Sequence, residues 1–330
     1  MQQWQQFIKT QKAGDVCETE FITDLNDLGL ILITGDDAES FLQNQLSNDI
    51  SDLSETAVQF SSFSSPKGRM YAIFRVIRID NGFILITARQ IQLDVMQRLH
   101  KFILMSKVSI ADANGHFVRV GVVSNNQDIQ QITEFSPTEQ MVEQSDSLIV
   151  INVGKLENQH RYILLGLDFN EIKKVWTELA KTLQITDFKS WRLSEINSGI
   201  PVILNPTSEA FVLQMSNLDQ LNGVSFKKGC YPGQEIVARM HYLGKLKRRM
   251  FLASLETEIC PKAGDELMLK GAETASGNGK VVDAVIDSKG LCQMLYIAQI
   301  NKVETNSLCL PDQPEIEIKN RSLPYQIDNS

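Results

Sequence analysis

From Leu28 to Ile33 the apolar positions run on almost unbroken (Leu-Gly-Leu-Ile-Leu-Ile), which predicts a buried strand. Thr34-Gly35-Asp36 then opens a helix carrying Ala38, Phe41 and Leu42 at i, i+3 and i+4. A second strand over 69–79, the turn signal Asp80-Asn81-Gly82 and a partner over 83–87 make a hairpin, preceded by the turn Ser65-Pro66-Lys67-Gly68. The spacing of Leu93, Met96, Leu99 and Ile103 predicts a helix over 91–105, followed by a strand over 108–110. Strands are expected over 117–123, 148–152 and 161–165, and helices over 170–183 and 188–198.

Strands and helices interleave without strict alternation, which favours an α+β fold over a doubly wound sheet. After Arg249 the pattern changes to short strands, 250–255, 266–269, 280–286, 291–297 and 315–318, separated by Gly, Asp, Asn and Pro. Such a run predicts a small β-barrel or sandwich, and divides the chain into an α+β region over 1–249 and a β domain over 250–330.

Composition adds limits rather than detail. The 330 residues are 43% hydrophobic and 22% charged, ordinary globular usage. A net charge of −8 argues against chain-wide attraction to nucleic acid or anionic membrane, so any anion site must be local. The segment 1–9 has no apolar core or cleavage site of a secretory signal, and no 18-residue apolar run occurs, which predicts a cytoplasmic protein without a membrane segment. Five scattered cysteines with no Cys-x-x-Cys predict reduced thiols. The four histidines form no metal-binding spacing, so no resident metal is expected, and Gly277-x-Gly279 lacks the third glycine of a dinucleotide loop.

The densest chemistry lies in Phe226-Lys-Lys-Gly-Cys-Tyr-Pro-Gly-Gln-Glu-Ile-Val-Ala-Arg239. Gly229, Pro232 and Gly233 predict a tight turn, and Gln234 can begin a helix. Cys230 would then precede a helix N-terminus with Lys227, Lys228 and Arg239 nearby in sequence, surroundings that favour a reactive thiolate. A small buried thiol in a turn is the competing reading.

Lys228-Gly229-Cys230-Tyr231-x-Gly233-Gln234-Glu235 resembles the signature of the YgfZ family of folate-binding proteins. Segments 30–35, Lys67-Gly68-Arg69-Met70, Trp191 through 199–203, and 218–226 resemble family segments in the same order. That family is similar in fold to the glycine cleavage T protein. The resemblance implies a multi-domain folate-binding α+β fold with a C-terminal β-barrel, and a role in assembling or repairing iron–sulfur clusters and thereby in tRNA modification. Folate, as tetrahydrofolate or a derivative, is the implied cofactor, iron–sulfur proteins or their assembly machinery are the implied partners, and the chain is expected to act as a monomer.

A folate needs a stacking surface for its pterin, amides for the pterin edge and a cation for its glutamate tail. Trp191 matches a family position associated with folate, although a core tryptophan is the plain reading of an amphipathic 188–198 helix. The family's other such tryptophan is Leu28 here. Gln214, Asn217, Gln234 and Arg239 are further candidates. Where T proteins carry an acidic pair after a Lys-Gly turn, this chain has Ala72 and Ile73, which cannot hold a proton, so aminomethyl transfer is not expected. The residues leave open whether any reaction is catalysed. A folate-dependent one-carbon transferase with Cys230 as nucleophile, and transient cluster ligation at Cys230, stand as alternatives.

Between Lys227 and Met250 seven cations (Lys227, Lys228, Arg239, Lys245, Lys247, Arg248, Arg249) face only Glu235. With Tyr231 and Tyr242 interleaved, RNA contact is conceivable, but a solvated loop or a cradle for a polyglutamate tail is the simpler reading.

Overall fold

The computed structural model describes residues 2–327 except 245, 273, 275, 276 and 306, and at 126 and 127 the backbone alone. In chain order, α1 (Gln2–Thr10) leads into β1 (Phe21–Asp24), β2 (Leu28–Thr34), α2 (Ala38–Gln43), β3 (Val58–Ser64), β4 (Met70–Ile79), β5 (Gly82–Ala88) and α3 (Arg89–His100). There follow β6 (Ser109–Asp112), β7 (Val118–Ser124), α4 (Asn126–Thr133), β8 (Val142–Gln144), β9 (Leu148–Leu156), β10 (Gln159–Gly166), α5 (Phe169–Leu179), β11 (Gln184–Thr186) and α6 (Phe188–Asn197). Beyond short 3-10 turns at Asn205–Thr207 and Leu213–Ser216 come α7 (Gln234–Tyr242), β12 (Arg248–Leu255), β13 (Glu266–Leu269), β14 (Gly279–Ile286), β15 (Cys292–Gln299), α8 (Ile300–Glu304), β16 (Leu308–Cys309) and β17 (Lys319–Arg321).

The chain divides into two compact units, the first made of Met1–Phe41, Ser51–Gln59 and Arg75–Ser194. Its six-stranded sheet runs β11-β1-β7-β10-β9-β8, with only the β1–β11 pair parallel. Successive residues of a strand point to opposite faces, and here both faces are covered. Ile149, Ile151, Ile163 and Leu165 enter one core with Trp191, while Val150, Tyr162 and Leu164 enter the other with Trp176. That double burial explains why these strands read as continuous apolar runs. Leu30, Ile84 and Ile86, from the antiparallel β2–β5 pair, join the Trp191 core.

On the opposite face α5 buries Ile172, Val175, Trp176 and Leu179, and Asp168 caps its N-terminus by accepting from the backbone N–H groups of Asn170 and Glu171. Trp4 of α1 meets Trp176 edge-on at 5.4 Å, and its Nε1 donates to Asp24 Oδ1 at 2.9 Å. The glutamine-rich helix α1 is anchored by that indole together with Phe7 and Ile8, at i+3 and i+4, which are half-buried against the same core.

Helix α3 is shorter and rotated relative to the sequence expectation. It ends at His100, and its buried face is Ile91, Gln92, Val95 and Leu99, with Leu93 turned to solvent. The phase shifts because Gln92 is a core residue, its Nε2 donating to Leu30 O at 2.8 Å and Asp112 Oδ1 at 3.0 Å. A satisfied buried amide takes a place that apolar periodicity assigns to an aliphatic side chain.

The second unit comprises Leu42–Ile50, Phe60–Phe74 and Glu195–Ser330. Its six-stranded sheet, ordered β16-β13-β14-β15-β12-β17, curls as a half-barrel around Leu255, Leu267, Val281, Met294 and Tyr296. The expected last strand over 315–318 lies slightly later, as β17. Cys260 and Cys292 form a disulfide, contrary to the expectation of reduced thiols. Leu255 ends β12 opposite Cys292, so a loop leaving that strand end brings Cys260 back to its neighbour although the pair is 32 residues apart in sequence. Among the described residues no helix is long and apolar enough to cross a membrane.

Candidate functional site

The two glycine turns singled out in the sequence meet in the second unit. Gly68 closes its turn by donating to Ser65 O at 2.9 Å. Gly233, the residue before α7, has φ +85°, and a Cβ there would lie 2.6 Å from Gly68 Cα and 2.7 Å from Ser65 O. Only glycine serves at Gly233, for the left-handed backbone and for the close approach alike. Gly233 O then accepts from Val237 N at 3.3 Å, Gln234 N donates to Tyr231 O at 3.2 Å, and Glu235 sits in the first turn, where a carboxylate suits the helix dipole.

Gly229 does not share this role. Its φ is not positive, and a Cβ there would meet nothing within 4 Å. The tight turn is the work of Pro232-Gly233, and beside Cys230 there is open space.

Lys228 is the anchor of the motif. It is 8% exposed, and its Nζ donates to Leu46 O at 2.8 Å and to Asn48 O at 2.7 Å, while lying 5.4 Å from the centroid of the Tyr231 ring. Burial pulls its ammonium down to about 8 against the opposing pull of Asp49, and burial pushes the Tyr231 hydroxyl up to about 12. Cys230, between these two buried side chains, is exposed. The expected cluster of cations around the thiol is therefore revised: Lys228 turns to backbone carbonyls, Arg239 occupies the last turn of α7, and Lys227 is exposed. Of the three, Lys228 is committed elsewhere, its Nζ held by two backbone carbonyls. Among the described residues no group of three His, Cys, Asp or Glu side chains converges to hold a metal.

The folate candidates are dispersed. Trp191 is 1% exposed in the first unit, in the core against which Leu28 also packs. A Cβ on Gly121 would lie 2.7 Å from Trp191 Cε3, so the indole is enclosed and has no open face. In the second unit, Gln214 is buried with its Nε2 donating to Val237 O at 2.7 Å, and its Oε1 is buried without a partner. Asn217 is fully committed: at φ +60°, its Nδ2 donates to Met250 O at 2.9 Å and its Oδ1 accepts from Met250 N at 3.4 Å. Gln234 is half-buried and Arg239 exposed. The orphaned Gln214 Oε1 suits a pterin N–H, whereas the enclosed Trp191 does not suit a stacking partner. Ala72 and Ile73 are buried in β4. A polar cleft of about 480 Å³ in the first unit, bordered by Gln5, Asn26, Arg89, Asp112 and Asn114, includes none of the sequence candidates.

The basic segment is thinner at the surface than in the sequence. Arg249 is buried against Asp219 at 2.6 Å, Lys228 is turned inward, and Lys245 lies outside the described residues. Lys227, Arg239 and Lys247 remain exposed. The aromatic partner also changes, because Tyr231 is buried while Phe226 and His241 stack at 3.8 Å and 13° beside Tyr242. His241 is one of the four histidines that form no metal-binding spacing. Its i and i+1 neighbours on a helix end gave no pattern that periodicity could detect.

Comparison with known proteins gives one consistent result. The chain is 30% identical over 306 residues to the tRNA-modifying protein YgfZ of Klebsiella pneumoniae (strain 342), covering 93% of each. It is 29% identical over 310 residues to the tRNA-modifying protein YgfZ of Enterobacter sp. (strain 638), covering 93% of this chain and 94% of the relative. No family model matches the chain. Among solved structures, the glycine cleavage system aminomethyltransferase T from Bartonella henselae superposes with a TM-score of 0.72 at 13% identity, covering 93% of this chain and 86% of the other, a likeness of fold.

Proposed function

The chain belongs to the YgfZ family, and from that premise we propose that it is a folate-binding accessory protein that supports iron–sulfur cluster assembly or repair, and through it tRNA modification, with Cys230 as its working group. One observation carries the reading: Cys230 is exposed on a framework that is otherwise locked, between the buried Lys228 clamp and the Gly233–Gly68 junction. A thiol kept accessible between two fixed neighbours suits exchange with, or transient ligation of, a partner's group. The open side at Gly229 leaves room for that partner.

Folate enters through the family resemblance and through the unpartnered Gln214 Oε1, which a pterin N–H would satisfy. When bound, folate would supply one-carbon or regulatory chemistry. Gln214 of this chain would meet it at the pterin edge. Aminomethyl transfer is not part of the proposal, since Ala72 and Ile73 give no acid or base.

The test is complementation of cells lacking the native protein, read as the activity of an iron–sulfur tRNA-modifying enzyme. Cys230→Ala should fold like the parent, bind tetrahydrofolate in calorimetry like the parent, and fail to restore that activity. Full restoration by Cys230→Ala would overturn the role of the thiol, and absence of any tetrahydrofolate binding by the parent would remove folate.

A further inference from the structure

We propose that the C-terminal end of α7, around Phe226, His241 and Tyr242, is a docking surface for an unpaired stretch of RNA. The rings of Phe226 and His241 stack at 3.8 Å, and Tyr242 stands edge-on to them at 6.1 and 4.6 Å. The stack is not core: Tyr242 is 66% and Leu243 85% exposed, and His241 is exposed. Exposed flat side chains serve unstacked bases, because every base has a π-face.

Charge selects a polyanion for this surface. Lys227, Arg239 and Lys247 are exposed along the same short segment, whose one acidic residue, Glu235, lies in the first turn of α7, at the other end of the helix. In a chain of net charge −8 this is a local inversion of sign. An acidic peptide would use the cations but not the aromatic faces, whereas a single strand uses both. The choice of RNA over other single strands rests on the tRNA reading proposed above.

Fluorescence anisotropy of a short labelled oligouridylate, titrated with the full chain across a salt series, tests it. Tyr242→Ala should weaken binding about tenfold without changing the salt slope, as for one lost base stack. Lys227→Gln and Lys247→Gln should each lower the slope of log K against log salt by about 0.7. All three side chains are at the surface, so these variants keep the fold. No oligouridylate binding by the parent, parent-like affinity in Tyr242→Ala, or equally tight, Tyr242-dependent binding of a polyglutamate peptide would overturn the proposal, the last in favour of an acidic protein partner. Cys230→Ala should bind the oligonucleotide like the parent, so failure of this surface and failure of the thiol reading are separate results.

Discussion

Lys228 shows how a single residue can be misassigned by sign alone. In the sequence it is a cation beside a cysteine; in the structure it is a structural tie whose ammonium donates to Leu46 O and Asn48 O. Lys228→Met keeps the length and apolar stem but leaves two carbonyls without their donor, which should cost about 1–3 kcal/mol in denaturant unfolding. The pH dependence gives a second handle. The folded-state value, about 8, lies below the ordinary lysine value of 10.5, so between those two pH values the unfolded chain binds more protons at this site. The Lys228 contribution to stability must therefore rise with pH across that window, the reverse of a lysine that gains an anionic partner. The difference between parent and Lys228→Met unfolding free energies, measured from pH 7 to pH 10, should grow with pH; a constant or shrinking difference would contradict burial as the cause.

At the scale of elements, α7 is positioned by the glycine at its N-terminus, and the two glycines that precede the helix make opposite predictions. Gly233→Ala places a Cβ against Gly68 Cα and Ser65 O at a left-handed φ, costing about 1–2 kcal/mol for the backbone alone, with the clash added. Thermal unfolding should show a clear loss, and complementation should fall with Cys230 still present. Gly229→Ala should be neutral to within about 0.5 kcal/mol, since its Cβ would face open space. Equal losses in the two variants would contradict the assigned turn. The helix start, the Lys67-Gly68 turn and the motif were each legible in the sequence, because Gly, Pro and cap residues act locally. That the two turns touch was not legible, because a contact between residues 68 and 233 leaves no mark in either segment's pattern. The phase of α3 escaped for a related reason: Gln92 is inside only because Leu30 O and Asp112 supply partners from elsewhere. Of the candidate site, the turn that carries Cys230 could be read from its Gly and Pro residues but the exposure of the thiol could not, and the enclosure of Trp191 depends on a glycine seventy positions earlier, at 121.

The whole molecule adds a constraint that no local reading contains. The Cys260–Cys292 bond closes a 32-residue span within the C-terminal sheet, joining the loop after β12 to the first residue of β15. A cross-link of that span restricts the unfolded chain and contributes about 2–4 kcal/mol, so its redox state bears on the stability of the sheet. It also sorts the five cysteines by chemistry: two are bonded, Cys309 is buried with its thiol pushed up by burial, Cys17 is half-buried, and Cys230 is exposed. Titration of the denatured, unreduced protein should count three thiols, and brief alkylation of the native protein at neutral pH should modify Cys230 ahead of Cys17 and Cys309. Reductant should lower the unfolding midpoint of the parent by several degrees while leaving that of a Cys260→Ser, Cys292→Ser double variant where it was. Because Cys230 lies outside the bond, the double variant should alkylate at Cys230 at the parent's rate. Five thiols in the unreduced protein, or a midpoint indifferent to reductant in the parent, would remove the cross-link. The exposed thiol would then be one of five free cysteines, and the selectivity of alkylation would have to rest on exposure alone.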